Sequence, residues 1–549
     1  MRPSDRAAPR VGVLDGVALA VLAVITLGTR LLFRSRYLYN WDSIQYALGV
    51  IRFDLVAHRP HPPGYAGYIV LGRVFTGLAG GDPGTGLVVL SAVAEAAAVV
   101  LLFLFARECW GRFAGWSAAV LFASSPLAWV YGGVALNYAL EPVLVVAVTW
   151  ACLRACRGSR SALVLAAALV AAAGAIRPTD ELFLAAPLTW AAWRAFARRD
   201  WRGVGAAAAV LLVATVAWVI PLLVASGGLR VFLEASRELS AKASDTSAIW
   251  KAGLPGVWHS GAAVVAGLAT ALGLVVPVAL AYVVCARLVG GAPSRRRSAD
   301  LPILAAAVLV PSLCVYVFIH IGQLGYLLLL VPTLIAPAGM LIERLAAMVS
   351  RQRQNQVAGV VLAACVLANV LIFALPAGGM RDQVASHDAY VTRLLAAVQR
   401  HDPSTTVLLT SAEADGSYRL AQYYLPAYAV IAIGRDNRKK AGEMFATGEA
   451  SPTAPEYDLN RFDHAGELRL PAETRTVLVL DGGALALLGN RSRATAERFG
   501  LGWKLWRVRL DTPGDAVAFG PYVYLLPGTC PCRGATATFA VRQPHQPTL

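Results

Sequence analysis

The chain of 549 residues is too apolar for an ordinary soluble protein, because 57% of its residues are hydrophobic and only 15% are charged. Its mean hydropathy is +0.57, and apolar blocks of roughly 17 to 25 residues recur, a length that crosses about 30 Å of hydrocarbon as a helix. The 49 Lys and Arg exceed the 33 Asp and Glu, but they cluster between apolar blocks, which argues against nucleic acid binding. Composition therefore predicts a polytopic α-helical membrane protein.

Eleven membrane-spanning helices are predicted from these blocks. They are residues 11–33, 86–106, 113–131, 139–153, 161–176, 181–197, 204–225, 261–288, 301–320, 324–343 and 357–376. The first span follows MRPSDRAAPR without a small-residue cleavage site, so we expect a retained anchor. A short apolar helix at residues 64–79 is placed at the membrane interface instead.

Arginines set the predicted orientation, because they cluster between alternate pairs of spans as in cytoplasmic loops. The clusters are Arg107/Arg112, Arg154/Arg157/Arg160, Arg194/Arg198/Arg199/Arg202, Arg295/Arg296/Arg297 and Arg344/Arg351/Arg353. The amino terminus is then cytoplasmic, and loop 34–85 and the carboxyl-terminal region are extracytoplasmic. The Ala/Arg-rich usage favours a bacterial plasma (inner) membrane.

Two domains are predicted, with the boundary near residue 378. Residues 1–378 form the membrane domain, whereas residues 379–549 have only short apolar runs such as TTVLLTS, YAVIAIG and TRTVLVLDGG. The helical stretch EADGSYRLAQYYLP between two strand-like segments predicts a βαβ unit. We therefore expect a soluble extracytoplasmic α/β domain after residue 378.

The first external loop is rich in polar residues, in the stretch YNWDSIQYALGVIRFDLVAHRPHPPGY. Asp42 and Gln45 have the spacing of a capping box at a helix start. At the outer membrane face, the Asp42 carboxylate could also be partly desolvated and accept a proton from a hydroxyl. Capping and catalysis are compatible interpretations of Asp42.

His58, Arg59 and His61 follow in a proline-rich segment of the same loop. The prolines exclude a regular helix, so the two histidines do not form a helical zinc motif. Their side chains, together with amides at the next helix start, would make a phosphate site at the membrane surface. Binding of lipid headgroups is the alternative.

Two ionisable residues stand at the outer rim of later helices. Glu141 before Pro142 suits the positive end of a helix, yet an ionisable group at the rim of a bundle usually faces a cavity. In IRPTDE, Thr179 or Asp180 could cap the next helix, while Arg177 either snorkels to the interface or binds phosphate. Snorkelling is the favoured interpretation of Arg177.

Cysteines and metal ligands are less informative. Six cysteines lie in or beside spans without metal-like spacing, which is typical of packing residues. For Cys530 and Cys532, in TCPCRG, a local disulfide and a pairing with another chain both stay open. No cofactor is specified, although Asp42, Asp54, Glu141 and the histidines could ligate a divalent metal.

Four segments together resemble one family. NWDSIQYA, HPPGY, ASSPLAWVYGGVALNYALEP and GYLLLLVPTLIAPAG are similar to the GT-C glycosyltransferases of the protein O-mannosyltransferase and lipid A aminoarabinose transferase type. The resemblance covers about residues 10–345. It implies a GT-C-like membrane domain that transfers a sugar from a polyprenyl-phosphate carrier outside the membrane.

The resemblance also implies roles for particular residues. Asp42 matches the first-loop acid that acts at the acceptor, and His61 stands where many relatives have Lys before Pro-Pro. Glu141 stands where an acid before proline is commonly Asp, and is the second candidate catalytic residue. The donor phosphate is expected near His61, Arg59, His58 and Arg177.

The late motif departs from the family pattern, because many relatives have Arg before its Tyr, whereas this chain has Gly325 before Tyr326. Gln323 is the nearest polar substitute. The further candidate contacts to donor or acceptor are Asp54, Tyr46, Tyr65, Asn137, Gln323 and Tyr326.

The resemblance implies an inverting transfer in which one base stands opposite a departing phosphate. The implied partners are a polyprenyl-phosphate-linked sugar, membrane lipids and an acceptor that is a protein, lipid or glycan. A transporter or flippase for lipid-linked sugars, or a non-catalytic protein that handles them, is the alternative. A transporter often shows two related halves, and no internal symmetry is evident in the sequence.

Overall fold

The computed structural model describes residues 11–288, 299–375, 379–411, 417–435, 461–462, 466–489, 493–500, 502–519, 523–526 and 541–542. It divides into two compact units. The first unit comprises Met1–Ser35 and Pro62–Val384, and the second comprises Arg36–His61 and Ala385–Leu549. Loop residues 36–61 therefore belong to the same unit as the carboxyl-terminal region.

Helices make up most of the described chain. They are α1 (Val13–Leu32), α2 (Trp41–Ile51), α3 (Ala66–Leu78), α4 (Pro83–Trp110), α5 (Arg112–Ser124), α6 (Pro126–Tyr131), α7 (Glu141–Cys156), α8 (Arg160–Ile176), α9 (Pro178–Ala197), α10 (Trp201–Ala225), α11 (Leu229–Ser247), α12 (Ile249–Leu272), α13 (Val275–Leu288), α14 (Asp300–Phe318), α15 (Val331–Ile335), α16 (Ala338–Val349), α17 (Gln354–Ala374), α18 (Met380–Val398), α19 (Ser417–Tyr424) and α20 (Gly482–Leu487). Short 3-10 helices, Asn137–Leu140 and Leu324–Leu329, precede α7 and α15.

Seven helical segments of the described chain are long and apolar enough to cross a membrane, or eight if the bent pair α12 and α13 forms one span. These segments are Val13–Leu32, Pro83–Trp110, Asn137–Cys156, Trp201–Ala225, Asp300–Phe318, Val331–Val349 and Gln354–Ala374. The predicted multi-pass membrane architecture is thus confirmed. The number of eleven crossings stays a prediction.

Three predicted spans are interrupted. The block 113–131 divides into α5 and α6 at Pro126, because proline has no N–H to continue the helical ladder. The block 261–288 bends by 91° between α12 and α13. The bend follows Gly273, whose φ of 51° is in the left-handed region that glycine tolerates. The block 324–343 divides into a 3-10 helix, α15 and α16.

Two helices organise the packing of the first unit. Helix α4 packs against α1, α3, α5 and α7, while α8 packs against α7, α9 and α10. Apolar side chains on other helices stay exposed, such as Val213 on α10 and Val360 on α17, at 67% and 69%. Such surfaces are expected of helices that face hydrocarbon rather than water.

Ion pairs join helix ends at one side of this bundle. They link the predicted basic clusters to acids on other helices, as in Arg112–Asp15 at 2.6 Å, Arg154–Glu108 at 2.7 Å, Arg160–Asp200 at 2.5 Å and Arg194–Asp300 at 3.1 Å. These arginines are about half exposed or more, so each pair contributes little to stability by itself. The contacts nevertheless connect three of the predicted basic clusters, because Arg154 pairs with Glu108 next to the first cluster and Arg198 donates to the carbonyl oxygen of Cys156 at 2.8 Å next to the second. Arg344, of another cluster, donates to the Tyr282 hydroxyl at 3.2 Å.

The second unit contains a mixed sheet. Its strands are β1 (Thr406–Ser411), β2 (Ala429–Arg435), β3 (Arg461–Phe462), β4 (Gly466–Arg469), β5 (Thr476–Val479), β6 (Ala494–Arg498), β7 (Lys504–Arg509), β8 (Ala516–Phe519), β9 (Val523–Leu526) and β10 (Val541–Arg542). Seven described strands form one sheet in the order β3-β9-β2-β1-β5-β7-β6, and β10-β4-β8 form another.

The predicted βαβ unit is confirmed by β1, α19 and β2. Strand β1 pairs in parallel with β2, from Val407 opposite Ala429, and with β5, from Thr406 opposite Thr476. All six residues of β1 are buried, as expected for a central parallel strand that is covered on both faces. The flanking pairs β2–β9 and β5–β7 are antiparallel. Cys530 and Cys532 lie outside the described residues.

Candidate functional site

Helix α2 presents the first-loop acid. Asn40, and not Asp42, caps this helix, since its side chain accepts the backbone N–H of Ser43 at 3.0 Å. The capping-box interpretation of Asp42 is therefore wrong: the cap stands two residues earlier, and Asp42 lies within the first turn. Its carboxylate lies in the favourable field of the helix start.

Asp42 faces His61 across the loop. The Asp42 Oδ1 and His61 Nδ1 atoms are 3.7 Å apart, and the two side chains are 20% and 11% exposed. The His61 ring also lies 5.4 Å from the ring of Tyr46, which is buried one turn after Asp42 on α2. Three of the predicted site residues are thus brought together by one short helix and one loop.

A tight turn at residues 54–59 precedes His61. The N–H groups of Asp54 and Arg59 donate to each other's carbonyl oxygens at 2.7 and 2.8 Å. The Asp54 carboxylate accepts the N–H of Ala57 at 3.0 Å, so this residue shapes the turn. His58 has a φ of 51°, in the left-handed region. The chain after the turn packs closely on α2, because a Cβ on Gly49 would lie within 2.7 Å of Pro60.

A buried amide completes this first cluster, which we call the loop cluster (Asp42, Gln45, Tyr46, Arg59 and His61). Gln45 is fully buried, and its side-chain amide makes no hydrogen bond within the described part of the chain. A buried polar group is costly unless it is satisfied, so such an amide is suited to bind water or a polar ligand.

A second cluster lies between α7 and α9 of the other unit. Arg177 Nη1 donates to Glu141 Oε1 at 2.5 Å, and Asp180 Oδ1 is 3.9 Å from Arg177. Glu141 and Asp180 are fully buried, and Arg177 is 5% exposed. Arg177 therefore does not snorkel, because a buried carboxylate pairs with it. No side chain caps the start of α9 in this described segment, so the capping interpretation of Asp180 is also wrong.

Aromatic rings surround this buried pair. The Arg177 guanidinium carbon lies 3.9 Å from the ring centre of Tyr326 and 5.2 Å from that of Tyr138. Tyr326 in turn lies 5.7 Å from Tyr316. A cation above an aromatic face is stabilised by the ring quadrupole, and more so when both groups are desolvated. Together, Glu141, Arg177, Asp180, Tyr138 and Tyr326 form what we call the rim cluster.

The departure at Gly325 has a steric reason. A Cβ at this position would overlap the rings of Tyr131 and Tyr138. The arginine of many relatives therefore has no space here, whereas Arg177 reaches the same tyrosine, Tyr326, from another helix. Gln323 stands at the start of the 3-10 helix that carries Tyr326.

Two other predicted contacts lie near helix starts. Asn137 opens the 3-10 helix before Glu141, is fully buried, and has a side-chain amide without a hydrogen-bond partner in the described ranges. Tyr65 precedes α3 with a φ of 46°, in the left-handed region. The Asn137 amide is therefore a second buried group suited to bind water or a polar ligand.

Residues that sequence reasoning missed are Tyr138, Asp180 as part of the site, and Tyr316. Tyr138 lies three residues before Glu141, so helical spacing could have identified it. Tyr316 carried no local signal, because it is one aromatic residue in an apolar span. Among the described residues, no group of three or more His, Cys, Asp or Glu side chains is arranged to hold a metal ion.

The architecture corresponds to a known class of membrane protein. The fold is that of the GT-C glycosyltransferases, so the resemblance noted in the sequence and the predicted fold class are confirmed. The profile of the dolichyl-phosphate-mannose-protein mannosyltransferase family matches residues 60–224, which include α3 to α9 and the rim cluster except Tyr326.

The solved structures that are similar to this chain include two of one protein. The crystal structure of ArnT from Cupriavidus metallidurans in the apo state has a TM-score of 0.55 and 12% identity, over 92% of this chain and 97% of that chain. The structure of the same protein bound to undecaprenyl phosphate has a TM-score of 0.54 with the same identity and coverage. At this identity the similarity establishes the fold. No curated protein sequence matches the chain significantly.

Proposed function

We propose that the protein is a membrane glycosyltransferase that moves a sugar from a polyprenyl-phosphate carrier to an acceptor hydroxyl on the extracytoplasmic side. The observation that carries the proposal is the pairing of Asp42 with His61 at 3.7 Å in a partly exposed loop cluster. The GT-C fold and the mannosyltransferase profile support a lipid-linked donor. The acceptor is a protein, lipid or glycan.

Asp42 is the proposed general base. Its carboxylate takes the proton of the acceptor hydroxyl, and the acceptor oxygen forms a bond to the anomeric carbon of the sugar. The bond between that carbon and the phosphate oxygen breaks, and the carrier leaves as polyprenyl phosphate with the bonding electron pair. One base opposite one departing phosphate predicts inversion at the anomeric carbon.

His61 and Arg59 are the proposed phosphate contacts of the loop cluster, with His58 beside them. A histidine is cationic for only part of the time near neutral pH, so the permanent charge of Arg59 is the more dependable counter-charge. Donors aimed at the leaving phosphate stabilise the charge that develops on it during transfer.

Arg177 is the proposed contact for the donor in the rim cluster, with Glu141 as its counter-charge. A guanidinium has five N–H donors, so one bond to Glu141 leaves donors for a phosphate oxygen. Glu141 keeps Arg177 in place when no donor is bound. The amide of Asn137 and the hydroxyl of Tyr326 are proposed contacts for sugar or phosphate, with Gln323 and Tyr65 at the neighbouring helix starts.

The first test is mass spectrometry of the purified full-length protein with native lipid retained. A co-purified polyprenyl-phosphate sugar would support the proposal and identify the donor. Transfer is then measured with undecaprenyl-phosphate-linked mannose, glucose or aminoarabinose carrying a radiolabelled sugar, and with cell-envelope material of the source cell as acceptor. Release of undecaprenyl phosphate reports turnover.

Asp42→Asn should lower kcat by about 10² to 10⁴, because the amide cannot accept the proton. The matched control is Asp511→Asn, which changes an exposed carboxylate that pairs with Arg493 at 2.7 Å. Protein that retains only ordinary phospholipid and transfers none of the three sugars would reject the proposal in favour of a lipid-handling role. Full activity in Asp42→Asn would reject the assigned base alone.

A further inference from the structure

The carboxyl-terminal region of the second unit contacts the loop cluster through a buried arginine. Arg419, on α19, is 1% exposed. Its Nη2 donates to the carbonyl oxygen of Ala57 at 2.7 Å, and its Nη1 donates to Gln422 Oε1 at 3.0 Å. A buried arginine that donates to a backbone carbonyl oxygen of a distant loop restrains that loop, since hydrogen bonds from charged donors are among the stronger ones.

The carbonyl that Arg419 binds belongs to the turn before His61. The N–H of Ala57 is held by Asp54 at 3.0 Å, and the turn is closed by the paired backbone groups of Asp54 and Arg59. Only Pro60 separates this turn from His61. A displacement of the turn would therefore move His61 and change its distance to Asp42.

The other end of the loop cluster meets the same helix. The Trp41 ring packs edge-on against Tyr418, with ring centres 4.9 Å apart, and the Arg419 guanidinium lies 5.9 Å from the Trp41 ring. Trp41 is adjacent to Asp42 at the start of α2. Tyr418 and Arg419 thus contact the chain next to the proposed base as well as the turn before the proposed phosphate contact.

Further contacts hold the entry of the loop. The N–H of Leu38 donates to the Tyr424 hydroxyl at 2.8 Å, and the N–H of Arg36 donates to Asp388 Oδ2 at 2.8 Å. Tyr424 lies on α19 and Asp388 on α18. Several points between residues 36 and 57 are therefore fixed by the carboxyl-terminal region.

We propose that Arg419 is a positioning residue that holds the turn at residues 54–59, and thereby sets His61 against Asp42 for transfer. Its contribution to transfer rests on the proposed function, whereas the clamp on the turn does not. The function of the α/β region is then to order the catalytic loop through α19, the helix of its βαβ unit. A displacement of a catalytic group by about 1 Å can lower the rate on the order of 100-fold, because transfer requires the base, the acceptor and the phosphate contacts to be aligned.

The clamp is tested in the full-length protein by hydrogen–deuterium exchange. In Arg419→Gln, the amides of residues 53–59 should exchange about 10-fold faster or more, because the shorter neutral side chain cannot hold the Ala57 carbonyl. Exchange in β1 and β5 should stay unchanged. Arg419→Lys, which keeps one charged donor, should restore part of the protection. The matched control is Arg400→Gln, which changes an exposed arginine of the same unit.

Transfer is measured on the same variants with the donor found by mass spectrometry. Arg419→Gln should lower kcat by about 10- to 100-fold with less than about a 3-fold change in KM for the donor, and Arg419→Lys should recover part of kcat. Unchanged exchange at residues 53–59 would overturn the clamp. Faster exchange with wild-type kcat would overturn its part in transfer. Faster exchange in a protein whose wild type transfers nothing would support the clamp and reject the proposed function.

Discussion

Two carboxylates of this protein, on α2 and on α7, sit in opposite surroundings. Asp42 is 20% exposed and lies 3.7 Å from an imidazole. Glu141 is fully buried and accepts from a guanidinium at 2.5 Å. The partner of Asp42 is an imidazole, whose ring nitrogens can donate or accept, whereas the partner of Glu141 is a guanidinium, which only donates. The loop cluster is therefore suited to proton transfer, and the rim cluster to keeping a cation in place.

The contrast shows that residue type alone does not assign a role. Both acids stand near a helix start and both have a basic partner, yet water reaches only Asp42. A partly exposed pair 3.7 Å apart contributes less to stability than a short buried pair, which destabilises the fold strongly when one partner is removed. A change in the rim cluster should therefore appear mainly in the stability of the fold, whereas a change in the loop cluster should appear mainly in turnover.

The largest effect on stability is expected at the rim cluster. Arg177→Gln should lower the free energy of unfolding by about 3–5 kcal/mol, because it leaves Glu141 buried without its cation. The measurement is thermal unfolding of the purified protein in detergent. Adding Glu141→Gln should recover part of the loss, since Asp180 is then the one carboxylate of the cluster that stays buried without the cation.

The matched control is Arg230→Gln, which removes a surface pair with Glu234, in which Arg230 is 89% exposed. This control should scarcely change the unfolding temperature. An Arg177→Gln variant as stable as the control would contradict the view that the rim cluster is a closed ion pair.

At the loop cluster, His61→Gln should act on turnover rather than on stability. We expect kcat to fall by about 10- to 100-fold, because a partial positive charge near the leaving phosphate is lost, with little change in unfolding temperature. His401→Gln, in the carboxyl-terminal region and 3.3 Å from Glu497, is the control. A His61→Gln variant that unfolds easily but turns over normally would reverse the contrast between the two clusters.

A steric change tests how tightly the rim cluster is packed. Gly325→Ala should cost about 1–3 kcal/mol, since the added methyl group would overlap the rings of Tyr131 and Tyr138. Gly359→Ala on α17 is the control, because nothing lies within 4 Å of a Cβ there. That control should be neutral or slightly stabilising. If both variants unfold at the same temperature, the aromatic packing around Tyr326 is looser than the structure indicates.

The smallest effect is expected at the exposed pair Arg160 and Asp200. The Arg160 guanidinium, which donates to the Asp200 carboxylate at 2.5 Å, holds the pKa of Asp200 below its ordinary value. Because the folded-state pKa is depressed, this contribution is present above the unfolded pKa of about 4 and is lost as the pH falls through the folded value.

Arg160→Gln should therefore lower the unfolding temperature by less than about 2 °C at pH 7, with the difference from wild type vanishing in acid. Unfolding temperatures of both proteins between neutral and acidic pH provide the check. A difference that grows on acidification would contradict the assigned pair.

Much of the candidate site could be predicted from local sequence. Asp42, His61, Glu141 and Arg177 stand out because ionisable residues next to apolar spans are costly and usually have partners. Their pairing could not be predicted, since Glu141 and Arg177 are 36 residues apart and come from different helices. The cap of α2 was misassigned because Asn40 and Asp42 both carry a side-chain oxygen suited to capping.

The sequence by itself determined the elements: long apolar blocks require membrane helices, and short buried runs around a polar helix require a βαβ unit. Tertiary structure alone decided which polar groups meet. Arg419 and Ala57 are 362 residues apart, and nothing near either residue signals the other. Local periodicity specifies which face of an element is apolar. It does not specify the neighbour, because a contact depends on how separate elements pack, and that is settled only when the whole chain folds.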